Sequence, residues 1–530
     1  MRYVNIDHKT PMLLPPDLRD WVSPDHMVHF VMDAVHELDL SRARVNQRGT
    51  GNAQYPPSMM LGLLIYCYAT GTFSSRRIET LTFENVAVRY LTGDTHPDHD
   101  SICKFRRENK ELLSDAFHQV LELAARTHVL QVGDITVAID GTKILANASK
   151  HSAVSYGHAV EQMQLANEQI TQLLAKAEDA DSAPLQDGLT VPEEIKRRED
   201  RIAKLGEAKH AMEERARERL REERAAYEEK LAARQAKEES TGQKARGKAP
   251  EAPKEGPRDK DQYNFTDPES RIMKAGGGFE QCYNAQAAVD VATMLVVGQH
   301  VCNDANDKQQ LVPTLADVSP VISHVENVLV DSGYYSEAAV LSVEGDATNT
   351  TVFAAMKRHG HGRTVAQLEA HADAPQPSEG ASVAEVMDWR LDSAEGKKLY
   401  GLRKETVEPV FGIIKEAIGF RRFMLRGLEK VSLEWTLVTT SYNLKRLFNL
   451  RKASNNKLWG HHGVRFRAPG RPQSRSCYQR QQHAPVRSKA NDRLNIRASI
   501  MPSTTTRRWH SSTCVRIWTR DGSFVNPTGC

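Results

Sequence analysis

Nothing in this 530-residue chain stays apolar long enough to cross a bilayer. The longest apolar stretch, Met59 to Ala69, is roughly half of the ~20 residues a spanning helix needs. Within it Leu61, Leu64, Ile65 and Tyr68 share one helical face, so it reads as a core helix and no membrane partner is expected. Cysteine is sparse as well. Seven cysteines (67, 103, 282, 302, 477, 514 and 530) without C-x-x-C spacing argue against a zinc site and for a reducing compartment. The opening MRYVNIDHKT lacks a basic-then-apolar leader pattern, so a cytoplasmic location is expected. Gly276-Gly-Gly278 lacks the Gly-Lys-Ser/Thr ending of a phosphate-cradling loop, which excludes an ATPase. A strong charge bias is also missing, with 71 Lys+Arg against 68 Asp+Glu. That balance hides an asymmetry: residues 451–530 hold 16 Lys+Arg and 2 Asp+Glu, leaving 55 against 66 for the rest. The body of the protein is therefore net acidic, and any nucleic-acid surface on it has to be local.

What the chain does have is a sequence of distinct segments. Residues 1–130 read as an all-helical domain suited to DNA binding or dimerisation. Ser23-Pro24 makes an N-cap and first helical position before Val28, Val31, Met32, Val35 and Leu38. Further helices are expected over about 57–69, over about 75–92 behind Ser75-Arg76-Arg77, and from Ser101 through Ile102 and Phe105 to Leu112, Leu113 and Phe117. Residues 131–156 switch to strand character, with Ile144-Leu-Ala146 as the hairpin partner of the run before it. Residues 157–262 form a charged insertion. From 191 to 240 there are 14 Lys+Arg and 14 Asp+Glu, which with Ile195, Ile202, Leu205, Met212 and Leu220 predict a long solvated helix. It would pair with 159–178 across a turn at Pro184, Gly188 and Pro192, and 241–262 would be a disordered linker. Strands resume at 285–290 and 294–301 as a hairpin. A helix near 307–317, a strand up to Asp331, a helix from Ser336, a strand at 351–355, a loop over 358–385 and helix over 398–449 follow. Residues 451–530 lose all periodicity and read as a basic, disordered tail.

Three carboxylates stand out in this order. Ile135-Thr-Val-Ala-Ile-Asp140 and Asn327-Val-Leu-Val-Asp331 are β-branched runs that stop at an acid, each read as a buried strand with Asp at its C-terminal edge. Glu408 lies on the helical stretch Val407-Glu-Pro-Val-Phe-Gly412. Two acids at strand ends and one on a helix can converge on a pair of Mg²⁺ ions about 4 Å apart and drive in-line phosphoryl chemistry. The order of elements is the ribonuclease-H-like α/β plan: a mixed sheet, interrupted by the long helical insertion and preceded by the all-α domain. Its catalytic part would span 131–156 and 263–450.

The segments that carry these acids resemble bacterial insertion-sequence transposases of the DDE class. Tyr400-Gly-Leu-Arg403 through Glu408-Pro-Val-Phe-Gly to Lys415 looks like their C-terminal Tyr, Arg, Glu and Lys signature. Val137-Ala-Ile-Asp140-Gly-Thr-Lys143 and Val328-Leu-Val-Asp331-Ser-Gly-Tyr-Tyr335 match the segments of the first two acids. Tyr55-Pro-Pro-Ser-Met-Met-Leu61 and Asp100-Ser-Ile-Cys-Lys-Phe-Arg106 are similar to the helical N-terminal part, and Asn264 to Arg271 with Tyr283-Asn-Ala-Gln286 to the return into the core. The resemblance runs from about residue 10 to 450. It implies a transposase that binds the terminal inverted repeats of its element in double-stranded DNA, as a homodimer, and cuts and joins strands with Mg²⁺ or, in its place, Mn²⁺. Asp140, Asp331 and Glu408 would then be the catalytic metal ligands. Tyr400, Arg403 and Lys415 would touch the DNA backbone. The family's three-residue gap between Arg and Glu selects Lys404, whereas Arg403 leaves four, so both remain candidates for the phosphate contact.

Arg421, Arg422 and Arg426 beside Phe420 and Phe423 suggest a further DNA contact, with guanidiniums on phosphates and the aromatics packed or stacked on an unpaired base. Arg271 and Lys274 are weaker candidates, and Glu405 is a rival to Glu408. His96 and His99 read as solvated, and His300 and Cys302 as structural. Asn303, Asp304, Asn306 and Asp307 read as caps of the next helix, with a supporting role near the metals as the alternative. The rival function is a catalytically inactive DNA-binding relic or repressor. A coiled-coil interaction protein would leave the acids unexplained.

Overall fold

The computed structural model describes residues 17–45, 54–179, 191–241, 250–345, 349–356, 376–378 and 380–453. Expectations for the tail beyond 453, and for Pro184 and Gly188, lie outside these residues.

The helical part begins with α1 (Met27–His36), whose N-cap is His26, its ring nitrogen accepting from Val28 N–H. Ser23-Pro24 forms a turn before the helix instead of capping it. The next helix, α2 (Pro57–Ala69), is buried on every side from Met60 onward, as a helix with no polar face must be. The expected helix over 75–92 is two, α3 (Ser75–Glu84) and α4 (Val86–Thr92). Asn85 adopts extended backbone between them and caps the second. Similarly α5 (His99–Glu108) starts two residues before Ser101, behind an Asp98 cap. It stops at Asn109, so Leu112, Leu113 and Phe117 belong to a separate α6 (Lys110–Arg126).

Strand β1 (Ile135–Leu145) runs straight through Asp140. Ile144 and Leu145 are its continuation and not a hairpin partner, because antiparallel pairing with β5 (Gly278–Asp290) holds from Val137↔Asp290 to Leu145↔Cys282. Strand β2 (Ala153–Ser155) leads into α7 (Tyr156–Asp179) and α8 (Val191–Thr241), and β3 (Gln262–Asn264) returns to pair with β2. The two long helices run antiparallel: Arg198 bonds Gln169, Arg201 bonds Gln162, and Tyr156 bonds Glu213. A small apolar cluster of Val154, Ala159, Leu205, Ala208 and Met212 is buried at their base. Pro192 sits in the first turn of α8, where its missing N–H costs nothing. Residues 250–261, expected as disordered linker, follow the side of α8 through Arg224–Glu255, Arg258–Glu223 and the bidentate Arg219–Asp261 pair.

Beyond them β4 (Arg271–Ala275) makes a hairpin with β5 through Gly276 and Gly277, both at positive φ. The expected hairpin of β5 with β6 (Val296–Cys302) is present. A short helix, α9 (Leu311–Ala316), begins four residues after Asp307 and has Gln310 as N-cap. β7 (Val325–Val330), α10 (Glu337–Val343) and β8 (Thr351–Ala354) follow. Residues 383–385, expected as loop, open α11 (Val383–Asp392), which a Ser382/Glu385 capping box starts. The expected helix over 398–449 is broken. α12 (Ala394–Gly412) contains Pro409 and passes into a π turn, Ile413–Ala417; Gly419 at positive φ then ends it, and α13 (Leu428–Ala453) starts afresh. Proline removes one rung of the hydrogen-bond ladder, which places the irregular turn beside it.

The sheet has the order β4-β5-β1-β7-β8, with β6 also paired to β5. β7 and β8 run parallel to β1 and to each other, so the sheet is mixed. One hydrophobic cluster extends from Val28 and Leu64 through Val137 and Val289 to Trp435 and Val438. The N-terminal helices thus share their core with the sheet, chiefly by packing α2 and α6 on α13.

Candidate active site

Parallel register sets the first two acids side by side. Ala138 pairs with Leu329, where the β1–β7 ladder ends, and two residues further on each chain come Asp140 and Asp331. Residues two apart point to one face of a strand, so both carboxylates leave the sheet on the same side, about 5 Å apart across the strands. Asp140 therefore stands mid-strand, but at the point where its parallel neighbour stops. Asp331 lies just past the end of β7 and accepts a 2.7 Å bond from Gly333 N–H.

Helix α12 crosses this face and brings Arg403, whose side chain is only 9% exposed. Its guanidinium is 3.5 Å from Asp140 Oδ2 and 3.7 Å from Glu408 Oε1, and its Nε is buried without a partner. Tyr400, one turn earlier, lies with its ring 6.0 Å from the Arg403 guanidinium carbon. Burial raises the Tyr400 hydroxyl above the usual phenol range. Lys404 and Glu405 are exposed, and among the described residues neither makes an ion pair with Asp140, Asp331 or Glu408. Of the two basic candidates, then, Arg403 is the one joined to the acids. Glu408 is 54% exposed at the rim.

Burial dominates the electrostatics of Asp140. Desolvation pushes its carboxyl up to about 6, against the pull of the Gly141 N–H and Arg403, and Asp331 and Asp307 add to the rise. Asp307 was read from the sequence as a helix cap and is nothing of the kind. Its Oδ1 accepts from Asn284 (2.6 Å), Gln286 (2.9 Å) and Lys143 (3.2 Å). The buried Tyr334 hydroxyl bonds Gln286 Oε1, and the Trp435 indole N–H donates to the Gln286 carbonyl at 3.0 Å. This network lies against Gly141, on the face of β1 opposite the Asp140 side chain. A Cβ at 141 would press on Gln286 Nε2 and stand 2.7 Å from Asp307 Oδ1. The signal for Asp307 was the alternation of Asn284 and Gln286 on one strand face, which asks for a polar partner.

The remaining sequence candidates lie further out. Lys415, in the π turn, donates to Thr142 Oγ1 and to the Lys143 carbonyl at 3.1 Å, which fixes it to β1 two residues from Asp140; burial lowers its ammonium pKa. Arg421 pairs with Glu416, the Arg422 backbone bridges to Leu145, and Arg426 Nε donates to the Asn147 carbonyl at 3.0 Å. All three side chains are exposed. Phe420 and Phe423 are fully buried, edge-to-face with each other and near Trp435 and Tyr283, so they pack and cannot stack on a base. Arg271 is half-buried and bonded to the Pro268 and Ser270 carbonyls, whereas Lys274 is exposed. His99 is held by Glu79 at 2.8 Å and His96 is stacked on Phe83, so neither is simply solvated.

Among the described residues no three His, Cys, Asp or Glu side chains are gathered closely enough to hold a metal ion. The donor chemistry nevertheless suits a hard divalent cation: burial and the neighbouring Asp331 and Asp307 carboxylates raise Asp140, and among the described residues Arg403 is the cation that reaches both Asp140 and Glu408. No described helix is long and apolar enough to cross a membrane.

Comparison with known families adds two matches. A family model described as a transposase DDE domain matches residues 240–444, which include Asp331 and Glu408 but not Asp140. A second, described as a transposase domain (DUF772), matches residues 16–108. No curated protein and no solved structure matches the chain.

Proposed function

Because the chain belongs to the DDE-type transposases of insertion sequences, we propose that it binds the terminal inverted repeats of its element and cuts and joins DNA strands at a site formed by Asp140, Asp331 and Glu408. The observation that carries this reading is the β1–β7 register, which aligns Asp140 with Asp331, together with Arg403 reaching from Asp140 to Glu408. We read the sheet as a ribonuclease-H-like core. Three antiparallel strands (β6, β5, β1) followed by two parallel ones (β7, β8) support that, and the α7–α8 pair is then an insertion between its first two acids.

In this reading the three carboxylates would hold two Mg²⁺ or Mn²⁺ ions once DNA and metal draw them together. Bound there, the metal would supply Lewis-acid activation of the attacking oxygen and charge compensation at the phosphate. The chain's own groups do the rest. Asp140 has to be ionised, which its burial resists and a nearby cation favours. Arg403 offers a planar guanidinium to a phosphate oxygen. Tyr400 shapes the wall beside it, and Lys415 holds the π turn on β1. The exposed Lys404, Arg421, Arg422 and Arg426 lie along the duplex on either side. DNA is the partner, a homodimer pairs the two ends, and the cytoplasm is the site of action.

The experiment is cleavage of a duplex carrying the element's own terminal repeats, with Mg²⁺ and with chelator. Mg²⁺-dependent nicking at the repeat end is the expected result. A wild-type protein that binds the ends and never cuts them is instead a DNA-binding relic.

A further inference from the structure

Arg106 is a buried cation that the catalytic site does not use. It lies on α5, 6% exposed, and donates from Nη1 to the Tyr68 hydroxyl at 2.8 Å and from Nη2 to Cys103 Sγ at 3.6 Å. Its Nε is buried with no partner. Tyr68 in turn donates to Glu434 Oε1 at 3.1 Å, and Glu434 Oε2 accepts the backbone N–H groups of Met424 (2.9 Å) and Leu425 (3.0 Å). One buried hydrogen-bonded chain therefore ties α2, α5 and α13 to the segment that carries Arg426. Such a chain holds its members in fixed places, because any broken link strands a desolvated polar group.

Over this chain opens a cleft of about 450 Å³. Arg106, Arg107, Lys110, Arg426 and Lys430 line it, with Asn147, and no carboxylate does. Lys110 is paired with Glu429, and Arg426 with the Asn147 carbonyl. Arg107 and Lys430 are exposed and make no hydrogen bond or ion pair among the described residues. Since residues 1–450 carry 55 Lys+Arg against 66 Asp+Glu, five cations in one cleft are not a sample of a generally basic surface. The cations come from two sequence-distant stretches, 106–110 across the α5–α6 junction and 426–430 running into the start of α13, and lie along an open groove. A polyanion that passes through the groove meets the exposed Arg107, Arg426 and Lys430 together, over the buried charge of Arg106, whereas a single small anion meets few of them.

The position of the cleft identifies the polyanion. Asn147 follows directly on β1, seven residues beyond Asp140, so the cleft lies on the order of 20 Å from the acids along the strand direction. We propose that this cleft seats backbone phosphates of the same duplex whose end is cut at Asp140, roughly six base pairs from the scissile phosphate. This rests on the transposase reading. The contact is to phosphates, so it contributes affinity and register without sequence preference.

The test uses fluorescence anisotropy of a labelled duplex bearing the terminal repeat, titrated with full-length protein across a salt series. Three proteins are compared: wild type, Arg107→Ala/Lys430→Ala, and Asp140→Asn. The cleft variant is expected to bind roughly tenfold or more weakly near 0.1 M salt, with a slope of log K against log salt shallower by about 2. The loss should be equal on a scrambled duplex, at an unchanged melting temperature. Asp140→Asn should bind as wild type and cut nothing. Wild-type affinity and slope in the cleft variant would overturn the proposal and leave the transposase reading standing. Absence of both binding and cutting in wild type would overturn the transposase reading and the cleft with it.

Discussion

Arg403 and Asp140 lie 3.5 Å apart on elements more than 250 residues distant in the chain, and this contact fastens α12 to the sheet. Removing the guanidinium leaves Asp140 among carboxylates alone. Arg403→Ala is expected to cut strand cleavage by about 100-fold, the usual cost of one preorganised donor. Arg403→Lys keeps the charge but not the planar fork and should recover only part of it. Single-turnover cleavage assays on a repeat-end duplex measure both. Activity of Arg403→Ala equal to wild type would remove Arg403 from the site.

Gly141 has no room for a side chain against the Asp307 network. Gly141→Ala is expected to destabilise the fold by about 1–3 kcal/mol through overpacking. Denaturant unfolding measures it, with Gly401→Ala, where a Cβ meets nothing within 4 Å, as the control.

Asp307 is the acceptor for three side chains, Asn284, Gln286 and Lys143. Asp307→Asn removes the charge that Lys143 pairs with and turns one acceptor oxygen into a donor. A loss of about 1–3 kcal/mol is expected, measured by the same unfolding curves. Repeat-end binding should be unchanged in the folded protein.

How far these residues were legible in the sequence depends on what kind of interaction places them. Periodicity found α2, α7, α8, β7 and the β5–β6 hairpin, because each is fixed by its own apolar pattern. It ended β1 at Asp140 because a charge usually ends a strand. The strand continues, since β5 supplies backbone partners as far as Leu145. The breaks at Asn85 and Asn109 are local capping events inside an unbroken apolar period. Phe420 and Phe423, beside three arginines, read as packed or stacked on an unpaired base, yet the chain turns both inward around Trp435. Asp307 was not paired with β1 from the sequence, because 164 residues separate it from Lys143 and the alternation of Asn284 and Gln286 asks for a polar partner without saying which.

His118 offers a pH test outside the site. Burial lowers its imidazole pKa below the ordinary 6.5, while Asp115 and Asp317 pull the other way, and Nδ1 meets Ser319 Oγ at 2.9 Å. A lowered folded pKa means that the neutral form is favoured in the fold. Its stabilising contribution is complete above about 6.5 and is lost as pH falls through the lower folded value. His118→Gln should flatten that part of the stability curve, as urea midpoints measured from pH 7.5 down to 5 would record. An unchanged slope would contradict it.

The most direct test of the central claim is end cleavage by Asp140→Asn, Glu408→Gln and Glu405→Gln, with repeat-end binding measured on the same samples. The account predicts that Asp140→Asn and Glu408→Gln bind as wild type and lose cleavage by at least roughly 100-fold, while Glu405→Gln cuts normally. Cleavage by Asp140→Asn at the wild-type rate would contradict the site, and loss in Glu405→Gln with Glu408→Gln active would move its third acid.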